Sequence, residues 1–160
     1  MKPILILAMG NPSRGDDAFG PMLADRLTRW SSQQAPDIQN RIEVICDQQL
    51  MVEHVDDLQG RQRVLFIDAA ACGDSAARLT PVEALPQPPT MQSHSCTPAQ
   101  LLALYRHLLN APPPRSHLLS VAGEGFELGA PLSLAIQQNI EPAWSLLMGW
   151  LNATQDRAHA

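Results

Sequence analysis

The sequence predicts an α/β fold: a three-layer sandwich whose mostly parallel, twisted sheet of about five strands is flanked by helices. Three observations carry that expectation. Ile4-Leu5-Ile6-Leu7-Ala8-Met9 and Val64-Leu65-Phe66-Ile67 are continuous apolar runs rather than alternating ones, as strands covered on both faces require. Segments of helical periodicity alternate with the strands along the chain, which is the pattern of a covered parallel sheet. The 160 residues fit one ordinary domain, with 45% apolar and 17% charged residues, a balance that supports a sizeable core without disulfides or a structural metal.

The first strand stops at the turn cluster Gly10-Asn11-Pro12-Ser13. Phe19, Met22, Leu23, Arg26, Leu27 and Trp30 then follow helical three-and-four spacing. Residues 42–45 read as a second strand, 50–58 as a short helix, and 64–67 as a third strand ending at Asp68. Residues 79–85 suit an edge strand, because Pro81 cannot donate to a sheet ladder. The loop 86–95 carries His94. Thr97-Pro98 opens a helix that runs to about Leu109, with the proline in its first turn. Pro112-Pro113-Pro114 stops it, residues 118–122 form another strand, and 132–151 a final helix. The expected domain covers 1–152, with a flexible tail over 153–160.

Composition narrows the function. A net charge of −5 argues against nucleic acid or an anionic membrane as partner. Cys46, Cys72 and Cys96 are odd in number and lack C-x-x-C spacing, poor material for a disulfide framework or a zinc knuckle. No apolar run has the length of a membrane span, and the start of the chain lacks the pattern of a signal peptide; a cytoplasmic protein is expected. Gly10 to Gly15 has the glycine spacing of a phosphate loop, yet Asp16 and Asp17 stand where Lys and Ser/Thr belong. Two carboxylates there repel phosphate.

In an open α/β sheet, ligands bind beyond the carboxyl ends of the strands, where the strand order reverses. An order beginning 2-1-3 brings Asp17, after the first strand, and Asp68, at the end of the third, to one edge. Acids near a helix start also cap it and complement its dipole, and that role is assigned to Asp16; for Asp17 and Asp68 capping and ligation both stand. Two carboxylates 4 Å apart repel by roughly 4 kcal/mol at an effective dielectric near 20, which a dication relieves. His94 adds a neutral nitrogen, and such a donor set suits nickel, zinc, iron or manganese. His54, His107, His117 and His159 read as surface or packing histidines. Cys96 lies two residues after His94 near a helix N-terminus, where a thiol pKa falls; a Cys–His nucleophile is the weaker reading.

The segments M-G-N-P-S-R-G-D-D-A-F-G at 9–20, F-I-D-A-A at 66–70 and S-H-S at 93–95 together resemble the hydrogenase maturation endopeptidases. Those enzymes trim a C-terminal extension from the large subunit of nickel–iron hydrogenases. The resemblance spans the whole domain in order and spacing, and 123–133 resembles the family's late glycine-bearing loop. It implies that Asp17, Asp68 and His94 bind metal and carry catalysis, the metal being nickel already inserted in the precursor. The implied partner is the large-subunit precursor, with the free chain a monomer. Gln48-Gln49-Leu50 replaces a glycine-rich segment common in the family, and S-H-S-C-T-P differs from the frequent S-P-H-Q. Both departures resemble the branch serving soluble, NAD-linked hydrogenases. Outside that family, a receiver-like signalling domain also places acids after strands one and three, but needs a lysine after the last strand, and Lys2 is the only lysine. A non-catalytic scaffold docking on a metalloprotein stays open.

Overall fold

A computed structural model describes residues 1–73, 76–90 and 93–153. The elements in chain order are β1 (Ile4–Met9), a 3-10 turn (Gly15–Ala18), α1 (Phe19–Ser32), α2 (Pro36–Gln39), β2 (Ile42–Asp47), a 3-10 helix (Val52–Leu58), β3 (Arg63–Ala70), β4 (Arg78–Val82), α3 (Pro98–Leu109), β5 (Arg115–Ala122) and α4 (Leu134–Asn152). They form a five-stranded sheet of order β2-β1-β3-β5-β4. β1, β2, β3 and β5 run parallel, and β4 pairs antiparallel with β5 at the edge. The expected start of the strand order, 2-1-3, is present, as is the proline-bearing edge strand.

The continuous apolar runs are explained by the two-residue period of a strand. Ile4, Ile6 and Ala8 face one layer with α1 and α4, packing among Leu23, Leu27, Leu147 and Trp150. Leu5, Leu7 and Met9 face the other, among Val55, Leu58, Leu101, Leu102 and Tyr105 of the 3-10 helix and α3. Burying each such Leu or Ile stabilises the fold by about 1.5–3 kcal/mol. A polar residue in the middle of β1 would have no wet face to occupy.

One expectation is corrected, one is made specific, and one element is new. The short helix expected over 50–58 is a 3-10 helix, Val52–Leu58. β3 does not end at Asp68: it continues to Ala70, because β5 supplies partners as far as Asp68↔Ser120, Ala69↔Val121 and Ala70↔Ala122. The short helix Pro36–Gln39 carried no periodic signal, since none of its residues is buried. The helix predicted after Thr97 is present and its start is doubly bonded. The Thr97 hydroxyl accepts from the Gln100 N–H at 3.2 Å, and the Gln100 side chain accepts from the Thr97 N–H at 2.9 Å, a capping box of order 1 kcal/mol. The helix ends at Asn110 in a left-handed conformation before the three prolines. Of the tail expected over 153–160, residues 154–160 lie outside the described residues. Among those described, no helix is long and apolar enough to cross a membrane.

Candidate functional site

A cleft of about 650 Å³ opens at the carboxyl ends of the parallel strands, lined by residues of the β1 turn, the 48–50 segment, β3, the start of α3 and Phe126. Asp17 and Asp68 both line it. Asp68 shares its strand face with Val64 and Phe66, whose side chains pack in the layer that contains α3; the carboxylate therefore stands just beyond the apolar floor of that layer.

Gly10 creates the turn that delivers Asp17. Its φ of +142° is one that only glycine adopts without strain, and a Cβ there would overlap the Asp17 carbonyl oxygen. The tight turn points the Asn11 N–H at Asp17 Oδ2, 2.7 Å away, which fixes one carboxylate oxygen. Asp68 has the backbone N–H of Ala69 near its carboxylate, but burial and the negative charge of Asp17 outweigh it and push its pKa up to about 7. The charge of Asp17 thus reaches Asp68 across the cleft and disfavours its ionised form.

His94 is placed differently. It does not line the cleft, and its Nδ1 is 3.0 Å from Glu53 Oε1 on an exposed surface. The local backbone explains this position. The Val52 N–H donates to the His94 carbonyl at 2.9 Å, the Cys96 N–H donates to the Leu50 carbonyl at 2.9 Å, and Met51 bridges Ser95. Segment 94–96 is therefore laid against 50–52, which brings the imidazole beside Glu53. Among the described residues no three of histidine, cysteine, aspartate and glutamate stand close enough together to hold a metal. The donors present fit a metal only in part: the cleft holds two carboxylates, hard oxygen donors, and the His94 imidazole stands outside it.

Asp16 is structural, though not as the cap expected for it. Its side chain is fully buried and reaches across more than a hundred positions of sequence. Oδ2 accepts from the Glu124 N–H at 2.6 Å and the Gly125 N–H at 3.3 Å, and Oδ1 from the Ser133 N–H at 2.7 Å. Burial raises its pKa, but these N–H groups and the Ser133 hydroxyl hold the carboxyl below its ordinary range. Gly123 is required beneath it, since a Cβ there would meet both the Asp16 side chain and the Phe126 ring at 2.7 Å. Arg14 Nε donates to the Phe126 carbonyl and the Gly129 N–H to the Ser13 carbonyl, so the late loop is stitched to the first turn and presents Phe126 to the cleft. An Asp16→Asn chain turns one acceptor into a donor facing donors. It is expected to lose about 2–3 kcal/mol of stability, read from the midpoint of urea unfolding; a loss below about 0.5 kcal/mol, the range of an ordinary surface substitution, would contradict the clamp.

Cys96 lines the cleft, but burial and the charge of Glu53 push its thiol pKa up to about 11. The lowering expected from the helix N-terminus is overcome, because half-buried apolar surroundings disfavour a thiolate. His54, read as a packing histidine, is one: it is buried, and its Nδ1 stands 2.9 Å from the Met51 N–H and 3.1 Å from the Met51 carbonyl oxygen. Sequence reasoning missed Glu53, which sits in no motif, and gave no role to Arg14 and Phe126, although both lie in segments that carry the resemblance.

No family model matches the sequence, and neither does any curated protein. Solved structures do resemble the fold. The hydrogenase maturating endopeptidase HybD from E. coli superposes with a TM-score of 0.71 at 22% identity, over 96% of this chain and 94% of that one. The NiFe hydrogenase maturation protease HycI from Thermococcus kodakarensis gives 0.64 at 20%, over 91% and 90%. A hydrogenase 2 maturation peptidase from a Thaumarchaeota archaeon gives 0.63 at 20%, over 94% and 98%. End to end, the chain has the fold of the hydrogenase maturation endopeptidases.

Proposed function

We propose that this chain is an endopeptidase that removes the C-terminal extension of a nickel–iron hydrogenase large-subunit precursor and uses nickel held in that precursor to recognise it. The observation that carries the reading is the coupled pair Asp17–Asp68 in the cleft, in the fold that the maturation endopeptidases share. Fold alone does not fix function, so the weight rests on this pair and on the motif segments that place it.

Nickel enters as part of the substrate, with ligands of its own. When bound, it would supply a Lewis acid for the scissile carbonyl. The chain's residues do the rest. Asp17, held by the Asn11 N–H, offers a fixed oxygen, and the charge of an arriving dication relieves the repulsion between the two acids. Without the dication, burial and the charge of Asp17 push the Asp68 pKa up to about 7, so an arriving dication would displace a proton from this carboxyl as it favours the ionised form. Phe66 and Leu118 form an apolar wall beside it, and Phe126 closes the side of the late loop.

The test is direct. Nickel-loaded precursor mixed with the purified chain is expected to lose a single C-terminal peptide, followed by mass spectrometry. Tight binding with no change of mass would favour the docking scaffold instead. A related expectation separates the cysteine route. The Cys96→Ser chain should keep most of its activity, because a thiol held near 11 is almost wholly protonated at neutral pH. Complete loss in a folded Cys96→Ser chain would restore the nucleophile reading.

A further inference from the structure

The described lining of the cleft has one cation, and most of its hydrogen-bonding capacity is unused. Arg14 stands in the turn after β1, exposed to solvent, and lines the cleft. Its Nε donates to the Phe126 carbonyl at 3.2 Å, which ties the guanidinium to the late loop and sets its direction. Arg26, Arg29 and Arg61 each hold a carboxylate of the chain; Arg14 holds none among the described residues. The two acids nearest to it in sequence are engaged elsewhere. Asp16 accepts from Glu124, Gly125 and Ser133 through both carboxylate oxygens, and Asp17 accepts from Asn11. The late loop is also held by that Asp16 clamp and by the bond from Gly129 to Ser13, so stitching it does not by itself require an arginine. What an arginine adds is a fork of N–H groups on Nη1 and Nη2, which matches a carboxylate with two parallel bonds.

We propose that Arg14 is a specificity-determining residue, which binds a carboxylate that the precursor carries within about five residues of the scissile bond. The inference rests on the protease reading above, which puts that bond at the acid pair. Arg14 belongs to the same turn as Asp17, whose N–H donates to the Arg14 carbonyl at 3.1 Å. An extended peptide advances about 3.3 Å per residue, so a group that reaches the fork is near the junction in sequence. The acid pair repels a carboxylate and Arg14 attracts one, which favours one direction of peptide entry. Phe126, beside the fork, offers apolar surface to the methylene stem of an acidic side chain. The precursor carries this carboxylate with or without nickel, so Arg14 chooses among peptides while the acid pair responds to the metal.

The test varies charge on both partners. Nickel-loaded precursor is prepared with each Asp and Glu near the junction changed singly to Asn or Gln. One further form has its C-terminus lengthened by a neutral segment, which carries the terminal carboxylate away. The full chain and its Arg14→Ala variant are assayed on every form. One form is expected to raise the KM of the wild-type chain by about tenfold, the loss of one charge-assisted pair, with the effect falling on KM more than on kcat. The same form should have no further effect on Arg14→Ala. A side-chain form identifies an acidic residue as the partner, and the lengthened form identifies the terminal carboxylate. Arg14→Glu should then prefer a precursor with lysine in place of an acidic partner, a reversal that an arginine serving only the late loop would not give. Should Arg14→Ala fail to fold, Arg14→Gln, whose amide can still donate to the Phe126 carbonyl, carries the same comparison. A KM unmoved by every form, or effects that simply add in the two enzymes, overturns the proposal. A wild-type chain that cuts no form overturns the protease reading; the Kd of the same precursor series then reads Arg14 separately, and a Kd indifferent to charge at every position removes the carboxylate contact as well.

Discussion

Asp68→Asn is expected to abolish processing of the precursor and, at the same time, to make the folded chain more stable at neutral pH. The two effects have one cause. In the unfolded chain this carboxyl releases its proton near 3.8, whereas in the folded chain burial and the charge of Asp17 delay release until about pH 7. Between those values the folded state binds more protons than the unfolded one, so stability falls as pH rises through the window. Below about pH 4 both states are protonated, above about 7 both are ionised, and neither range contributes slope. The full loss from Asp68 is up to about 4 kcal/mol, at 1.36 kcal/mol for each unit of pKa. Asparagine of the same shape has no charge to desolvate and none for Asp17 to repel, so this part of the slope should vanish. Activity should move the other way. The variant loses an anionic oxygen for the metal. Urea unfolding of both chains between pH 4 and 8, alongside cleavage rates, reads both effects. Identical stability–pH slopes would show that Asp68 is not the strained acid of the fold, and an Asp68→Asn chain that cuts at the wild-type rate would remove it from the chemistry.

The parts of this molecule that were legible in the sequence are those that obey a local period. β1 and β3 were readable because both of their faces are buried, which leaves an unbroken apolar run. Once those strands and the alternation with helices were in hand, the edge position of Asp17 and Asp68 followed from topology, without any knowledge of their contacts. Polar partners distant in sequence leave no such trace. Nothing near Asp16 announces that its acceptors serve Glu124, Gly125 and Ser133, and an acid near a helix start has an easier local explanation. The same limit applies to His94. Its motif segment marks it, yet the carboxylate that holds it comes from Glu53, forty-one residues earlier, through a pairing of two irregular segments that has no periodicity to read. The end of β3 was misplaced for a related reason. A charged residue usually closes a buried strand, but here β5 is long enough to pair beyond it, and the open cleft gives the carboxylate somewhere to point.

Nickel-free precursor is expected to remain uncut by this chain, however long the incubation, while the nickel-loaded form is processed. The cleft offers little else by which to choose a substrate. Its described lining has one cation, Arg14, two acids, and otherwise neutral or apolar side chains, so a peptide sequence has few charged groups to be read by. The acid pair, by contrast, is poised against itself. The negative charge of Asp17 helps burial push the Asp68 pKa up to about 7, and an arriving dication would turn that unfavourable field into a favourable one. Each 1.4 kcal/mol of difference between the loaded and empty precursor is tenfold in affinity. An advantage of about 2 kcal/mol for the loaded form would therefore give discrimination of more than tenfold. A Lewis acid at the scissile carbonyl would also be felt more strongly as that carbonyl gains charge, so part of the discrimination should appear in the rate and not only in binding. Precursor purified with and without nickel, mixed with equal amounts of the chain and followed by mass spectrometry, reads the difference. Equal cleavage of both forms would mean that the acid pair recognises the peptide itself and that nickel plays no part in selecting it.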